Sequence, residues 1–195
     1  MELSPSLYHW LVRPKYFVKE YNNRILKLFL DSIDFHNKDV LDYGCGIGSN
    51  CYLFEPDYYT GVDIDARRID YAKKLYEDYR FYTIENNSFI FQEKQFDFIF
   101  LMAVLHHIPP QDTSRYLQKF HRVLKPNGKL IIIEPCKSKN SSLQNWFMCF
   151  FDKGKYILTE QEYISLFQQQ QFRIEQVKKF KKGYFYNEIF FTAKK

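Results

Sequence analysis

The chain has 195 residues, of which 46% are apolar, and it carries a formal net charge of +5. This length suits one well-buried core, so a second full domain is not expected. The longest apolar run, from Phe98 to Leu105, is far shorter than the roughly 20 residues that a membrane-spanning helix needs. Glu2 comes early and no apolar stretch follows it, which is not typical of a signal peptide. These features predict a single cytoplasmic domain without a membrane span.

The cysteines do not indicate a disulfide framework or a metal site, and the lysines do not favour binding to nucleic acid. The 4 cysteines show no Cys-x-x-Cys spacing and are too sparse for a disulfide framework, so we expect them to be reduced, and no metal site is predicted. Much of the positive charge lies late in the chain, at Lys178, Lys179, Lys181 and Lys182. Because lysines also prevent exposed strand edges from pairing with other strands, an edge strand is favoured over binding to nucleic acid.

Strand-like and helix-like stretches alternate after two N-terminal amphipathic segments that Pro14 separates. From Asp39 onward this alternation is typical of a parallel sheet covered by helices on both faces. Predicted strands cover residues 39–43, 58–62, 80–85, 96–102, 129–134, 172–180 and 184–193, and the last two form an antiparallel hairpin through Gly183. Predicted helices cover residues 66–76 and 112–124, and a short helix is predicted to end near residue 54. A turn is expected at residues 126–128, and a capping box predicts that a further helix begins at Thr159. The sequence thus predicts an α/β fold with a doubly wound, mostly parallel sheet in a three-layer αβα sandwich.

Three of the chain's seven glycines fall within residues 40–48, which have the sequence Val-Leu-Asp-Tyr-Gly-Cys-Gly-Ile-Gly. Glycine adopts backbone conformations that other residues avoid, and it lets the main chain approach a ligand closely. The stretch therefore predicts a strand that turns sharply into a helix around a bound ligand. An ordinary tight turn is the alternative interpretation.

A carboxylate at Asp63 ends the second predicted strand, 21 residues after Asp42. A carboxylate at this distance from a glycine-rich strand end can accept hydrogen bonds from both hydroxyl groups of a ribose. The alternative is that Asp63 caps the helix that follows, a role that Asp65 could serve equally.

The glycine spacing distinguishes among nucleotide ligands. A dinucleotide fingerprint needs glycines at its first, third and sixth positions, and counting from Gly44 the sixth position is Ser49. A phosphate-binding P-loop is also not indicated, because no Gly-Lys-Ser/Thr sequence is present.

Five ordered motifs instead resemble those of class I S-adenosylmethionine-dependent methyltransferases. They are Asp42-x-Gly44-x-Gly46-x-Gly48, the acidic Asp63, Phe96-Asp97-Phe98-Ile99, Leu105-His106-His107-Ile108 and Leu124-Lys125-Pro126-Asn127-Gly128-Lys129-Leu130. The resemblance runs from about Asp39 to the last residue. It implies a Rossmann-like fold, S-adenosyl-L-methionine as cofactor and S-adenosyl-L-homocysteine as product. It also implies a division into a helical cap at residues 1–37, a cofactor-binding core at 38–136, a candidate lid at 137–158, and a helix and closing hairpin at 159–195.

The resemblance also assigns residues to the cofactor. These are Asp42, Gly44, Cys45, Gly46, Gly48, Asp63, Ile64, Glu85, Asn86 and Leu101. In the family, the carboxylate matching Asp42 helps to hold the amino group of the methionine part, and the one matching Asp63 binds the ribose. Glu85 and Asn86 match positions near the adenine, and at the position of Glu85 the family more commonly has Asp. Leu101 matches a backbone carbonyl that meets the methionine amine.

Catalysis of methyl transfer depends mainly on alignment and on removal of a proton from the acceptor. His106 and His107 follow the fourth predicted strand, and a neutral imidazole suits a general base. Methyltransferases of small phosphobases are similar in placing a histidine at the position of His106 and pairing it with a tyrosine from an N-terminal helix. Tyr16 is the matching candidate here and Tyr8 is the second. The alternative is that the histidines only cap or pack the following helix.

The acceptor is predicted to be a small organic or lipid-like molecule that is methylated on oxygen or nitrogen. Amino methyltransferases that modify nucleic-acid bases usually carry Asn/Asp-Pro-Pro-aromatic after strand four, whereas residues 101–104 here are Leu-Met-Ala-Val. An aromatic run, Trp146 to Phe151, is either part of a lid or packed on the edge of the sheet. Two alternatives stay open, a catalytically silent binding module with this fold and a nicotinamide-dependent oxidoreductase. The sequence leaves the oligomeric state open.

Overall fold

The structure is a computed structural model that describes residues 27–85, 91–138, 145, 146, 149, 155–182 and 186–195. The chain divides between residues 89 and 90 into an N-terminal and a C-terminal unit, which are described in turn. Most of the predicted N-terminal helices and of the candidate lid lie outside the described residues. Within the described part of the chain, no helix combines the length and the apolar character needed to cross a membrane.

The N-terminal unit is built on three parallel strands. Its elements are helix α1 (Lys27–Leu30), strand β1 (Val40–Tyr43), a 3-10 turn at Cys51–Leu53 and another at Pro56–Tyr58, strand β2 (Tyr59–Asp63), helix α2 (Ala66–Leu75) and strand β3 (Arg80–Thr83). β2 pairs in parallel with β1 on one side and with β3 on the other. Every residue of β1 and β2 is buried, as expected for parallel strands that are covered on both faces.

The C-terminal unit is built on a mixed sheet. Its elements are strand β4 (Phe96–Met102), a 3-10 turn at Leu105–His107, helix α3 (Pro110–Val123), strand β5 (Leu124–Lys137), strand β6 (Leu158–Thr159), helix α4 (Glu160–Gln169), strand β7 (Arg173–Lys182) and strand β8 (Tyr186–Lys194). β4 pairs in parallel with β5, whereas β8 runs antiparallel to both β5 and β7. The lysine-rich β7 lies at the edge of this sheet, which is the position predicted for it.

The predicted order of parallel strands followed by an antiparallel pair is confirmed. The predicted capping box is also present, because the Thr159 hydroxyl accepts a bond from the Glu162 backbone and the Glu162 carboxylate accepts one from the Thr159 backbone. Gly183, through which the hairpin was expected to turn, lies outside the described residues.

Two local predictions need correction. The short helix expected before residue 54 is a 3-10 turn at Cys51–Leu53. The turn expected at residues 126–128 lies inside β5, which already pairs with β4 at Leu124. The pairing then shifts register, since Phe96 opposes Leu124 and Phe98 opposes Lys129. Asn127 takes a positive φ of 65° within this irregularity, so the residues expected to turn interrupt the pairing inside the strand and do not precede it.

Candidate functional site

The glycine loop, residues 44–48, leaves β1 by folding over the end of β2. The backbone N–H groups of Gly44 and Cys45 both donate to the Val62 carbonyl, at 2.7 and 3.0 Å. Gly44, Gly46 and Gly48 have φ values of 78°, 57° and 75°. An L-residue in this left-handed region costs about 1 to 2 kcal/mol, so the alternating glycines follow from the path of the loop.

Gly46 and Gly48 have different surroundings. A Cβ atom added to Gly48 would lie 2.7 Å from the Phe81 ring, so the protein itself fills the space beside this glycine. Among the described residues, no atom would lie within 4 Å of a Cβ atom added to Gly46. The described part of the chain therefore leaves the main chain of Gly46 open to a ligand, and its contact with the cofactor stays a prediction.

Asp63 holds the loop from the end of β2. One of its carboxylate oxygens accepts the Gly46 N–H at 2.8 Å and the other accepts the Asp65 N–H at 2.9 Å. The cap of α2 is Asp65, whose side chain accepts the Arg67 N–H at 3.0 Å. The alternative role of Asp63 as helix cap is therefore filled by Asp65. A carboxylate has about four acceptor positions, so the two observed bonds do not use the full acceptor capacity of Asp63, and its contact with a ribose stays a prediction.

Asp42 is buried in β1 and has a partner that the sequence analysis missed. The Tyr59 hydroxyl donates to the Asp42 carboxylate at 2.8 Å. Burial, followed by the negative charge of Asp42, raises the pKa of the Tyr59 phenol well above its usual value, so Tyr59 stays a neutral donor. A Cβ atom added to Gly61 would lie 2.8 Å from this hydroxyl. The pattern Tyr-x-Gly in β2 was the available signal, because residues two apart in a strand share a face.

The other residues assigned to the cofactor differ in exposure. Cys45 is buried in the loop, and burial together with Asp42 and Asp63 raises the pKa of its thiol well above the usual value. Ile64 is 74% exposed, and Glu85 is exposed just beyond the end of β3. Leu101 is fully buried in β4 of the C-terminal unit. Asn86 lies outside the described residues. The cofactor roles of these residues stay predictions.

The histidine turn, residues 103–107, follows β4 in the C-terminal unit. His106 is 2% exposed, and its Nδ1 atom lies 2.7 Å from Oε2 of the fully buried Glu134 in β5. The other oxygen of Glu134 accepts the backbone N–H groups of Val104 and Leu105, at 2.7 and 2.8 Å. Ala103, the first residue of the turn, has a φ of 56°.

Glu134 was missed as a site residue by the sequence analysis, which placed it only at the end of a predicted strand. The signal was a carboxylate directly after the apolar run Leu130 to Ile133, because a buried charge needs partners. Tyr16 and Tyr8, the predicted partners of His106, lie outside the described residues. No group of three or more His, Cys, Asp or Glu side chains that could hold a metal ion occurs among the described residues.

A family model described as a methyltransferase domain matches residues 15–177 of the chain. The chain is 26% identical over 148 residues to phosphoethanolamine N-methyltransferase of Plasmodium falciparum, which covers 72% of this chain and 56% of the relative. It is 33% identical over 111 residues to a ubiquinone biosynthesis O-methyltransferase of Coxiella burnetii, which covers 54% of this chain and 47% of the relative. The chain thus spans about half the length of these two relatives.

Solved structures share the fold. A methyltransferase from Methanosarcina mazei that is described as SAM-dependent aligns with a TM-score of 0.71 at 22% identity, over 86% of this chain and 96% of its own. A SAM-dependent methyltransferase from Aquifex aeolicus aligns with a TM-score of 0.71 at 19% identity, over 99% of both chains. These likenesses confirm the predicted Rossmann-like α/β fold. The family model shows that the chain belongs to the methyltransferase domain family, as its motifs predicted, and this membership implies S-adenosylmethionine as cofactor.

Proposed function

We propose that this chain transfers the methyl group of S-adenosylmethionine to an amine or hydroxyl group of a small organic or lipid-like acceptor. The observation that carries the proposal is the glycine loop. No atom of the described residues lies within 4 Å of a Cβ atom added to Gly46, and the Gly46 N–H group is held by Asp63, whose carboxylate retains acceptor positions for a ribose. The matched relatives support the acceptor class, because one is named as an N-methyltransferase of phosphoethanolamine and another as an O-methyltransferase of ubiquinone biosynthesis.

The reaction places one demand on the side chains. When bound, the cofactor would supply an electrophilic methyl group from its sulfonium to the nitrogen or oxygen of the acceptor, and its sulfur would keep the electron pair of the carbon–sulfur bond. An amine or hydroxyl acceptor loses one proton in this exchange. We assign that proton to Nε2 of His106, since Nδ1 is bonded to Glu134. The proton then passes to water.

Asp63 and Asp65 give a matched test of the cofactor site. Asp63→Asn replaces one acceptor oxygen by an NH2 donor, which cannot accept a hydrogen bond from either the Gly46 N–H or a ribose hydroxyl. We therefore expect S-adenosylmethionine affinity to fall roughly 10- to 100-fold. Asp65→Asn should leave affinity unchanged, because Asn is also a good helix cap. Calorimetric titration of both variants with the cofactor measures this difference, and equal affinities would contradict the proposed ribose contact.

Thermal shift separates the alternative functions. Wild-type protein should be stabilised by S-adenosylmethionine and by S-adenosylhomocysteine, by about 2.7 kcal/mol at a ligand concentration of 100 times Kd. Stabilisation by NAD alone would instead indicate a nicotinamide enzyme. Stabilisation by none of the three ligands would indicate a silent module.

The acceptor class is tested with methyl-labelled cofactor. We expect label to reach a panel of small amines and phenols that includes phosphoethanolamine. His106→Ala should bind the cofactor normally and lose about 100- to 10,000-fold in turnover, the usual contribution of a general base. Wild-type turnover in this variant would remove His106 as the base, and absence of label in every acceptor despite cofactor binding would contradict the proposed activity.

A further inference from the structure

We infer that Glu134 is a positioning residue that selects the tautomer of His106 and so makes Nε2 the proton acceptor. The inference rests on the proposed function, because it concerns the same base. It adds a residue that no motif of the sequence singled out, and it concerns contacts that lie entirely within the C-terminal unit.

The contacts around Glu134 are all with N–H groups or with an imidazole nitrogen. Oε1 accepts the Val104 and Leu105 N–H groups at 2.7 and 2.8 Å. Oε2 lies 2.7 Å from His106 Nδ1 and 3.4 Å from the His106 backbone nitrogen. A carboxylate is an acceptor only, so Nδ1 must carry the hydrogen of this bond. In a neutral imidazole the lone pair then lies on Nε2.

The same carboxylate holds the backbone that carries the ring. Val104 and Leu105 directly follow Ala103, whose left-handed φ of 56° is uncommon for a residue with a Cβ atom. The Ala103 N–H group donates to the Ile133 carbonyl at 2.9 Å, next to Glu134 in β5. The His106 carbonyl accepts the Tyr156 N–H at 3.0 Å. Glu134 therefore determines the position of the turn and the orientation of the ring together, as a group that prepares a base should.

Glu134→Gln is the informative variant because the new amide has one oxygen and one nitrogen. If the oxygen continues to accept the Val104 and Leu105 N–H groups, the NH2 group faces His106 Nδ1. In the reverse orientation the amide NH2 would face the Val104 and Leu105 N–H groups, which would both lose their acceptor. That orientation leaves one more unsatisfied group and is therefore less favourable. With NH2 facing it, Nδ1 must accept, so the hydrogen moves to Nε2 and the base is lost.

The test is the tautomer of His106, measured by long-range 1H–15N NMR on protein labelled with 15N-histidine. The His106 signals are assigned as those that disappear in His106→Ala. We expect hydrogen on Nδ1 in wild type and on Nε2 in Glu134→Gln. Turnover of the variant should fall about 100- to 10,000-fold through kcat, with cofactor affinity unchanged. Glu134→Asp keeps a carboxylate and should retain the wild-type tautomer.

Glu162→Gln is the control, because it also removes a carboxylate that accepts a hydrogen bond from a backbone N–H group. Glu162 also accepts a backbone N–H at a helix start, at 2.7 Å, and its contacts are with Thr159. This variant should change neither the His106 tautomer nor the turnover. A change of tautomer in Glu162→Gln would show that the effect of Glu134→Gln is not specific.

Several results would overturn the inference. One is a wild-type His106 that carries hydrogen on Nε2, and this measurement does not depend on whether any variant folds. Another is a folded Glu134→Gln that keeps hydrogen on Nδ1. Full turnover in His106→Ala would instead contradict the proposed base while leaving the tautomer result intact, so the two failures are distinguishable.

Discussion

The glycine loop and the histidine turn are two versions of one construction. Each follows a parallel strand, and each is held by a carboxylate from the neighbouring strand. The Gly46 N–H donates to Asp63 in one case, and the Val104 and Leu105 N–H groups donate to Glu134 in the other. Their surroundings differ, because no atom of the described residues lies within 4 Å of a Cβ atom added to Gly46, whereas Glu134 is fully buried. We propose that the first carboxylate is shared with a ligand and that the second orients the protein's own groups.

Removal of the two carboxylates should therefore have unequal effects on stability. Glu134→Ala leaves two backbone N–H groups and His106 Nδ1 without their acceptor at a fully buried side chain, and we expect a loss of about 3 to 5 kcal/mol in the free energy of unfolding. Asp63→Ala leaves the Gly46 and Asp65 N–H groups, which are nearer to solvent, and should cost about 1 to 3 kcal/mol. Urea denaturation of both variants measures the difference, and a larger loss for Asp63→Ala would contradict the comparison.

The same substitution, glycine to alanine, should have different effects on stability at two positions of the glycine loop. Gly48→Ala forces a Cβ atom to 2.7 Å from Phe81 at a φ of 75°, so backbone strain and overpacking together should cost about 2 to 4 kcal/mol of stability. The methyl group of Gly46→Ala has no atom of the described residues within 4 Å, so this variant should cost only the strain, about 1 to 2 kcal/mol.

The ligand affinities of these variants should show the reverse order. The methyl group of Gly46→Ala would occupy the open space beside the loop, so S-adenosylmethionine affinity should fall roughly tenfold or more. Calorimetric titration at a temperature where both variants are folded gives this comparison. If Gly46→Ala binds as wild type, the open space beside Gly46 is not where the cofactor lies.

The sequence predicted the glycine loop well because its causes are local. The three alternating glycines occupy the three positions of the loop with left-handed φ values, and the position of Asp63 at the end of the next strand identified it as a candidate. The choice between Asp63 and Asp65 as helix cap was left open, because both precede the helix within three residues. Only the observed bond from the Arg67 N–H to Asp65 decides it.

The histidine turn was harder to predict because its causes are distant in sequence. Glu134 lies 28 residues after His106, and only the parallel pairing of β4 with β5 brings the two together. No glycine marks the positive φ at Ala103. The extent of β5 was missed for a related reason. Asn127 and Gly128 predict a turn, and only the pairing of Leu124 with Phe96 shows that the strand begins before it.

Ala103 offers the smallest test of the comparison, because it occupies a glycine-like backbone position without being glycine. Ala103→Gly removes a left-handed strain of about 1 to 2 kcal/mol, while the added freedom of glycine in the unfolded chain costs roughly 0.5 to 1 kcal/mol. We expect a net stabilisation of up to about 1 kcal/mol, measured by urea denaturation. Ala72→Gly is the control, because the same change in the buried interior of α2 should destabilise by about 1 kcal/mol or more. If Ala103→Gly destabilises as much as Ala72→Gly, the turn gains from the methyl group more than the strain costs, and the histidine turn is then held by packing as well as by its carboxylate.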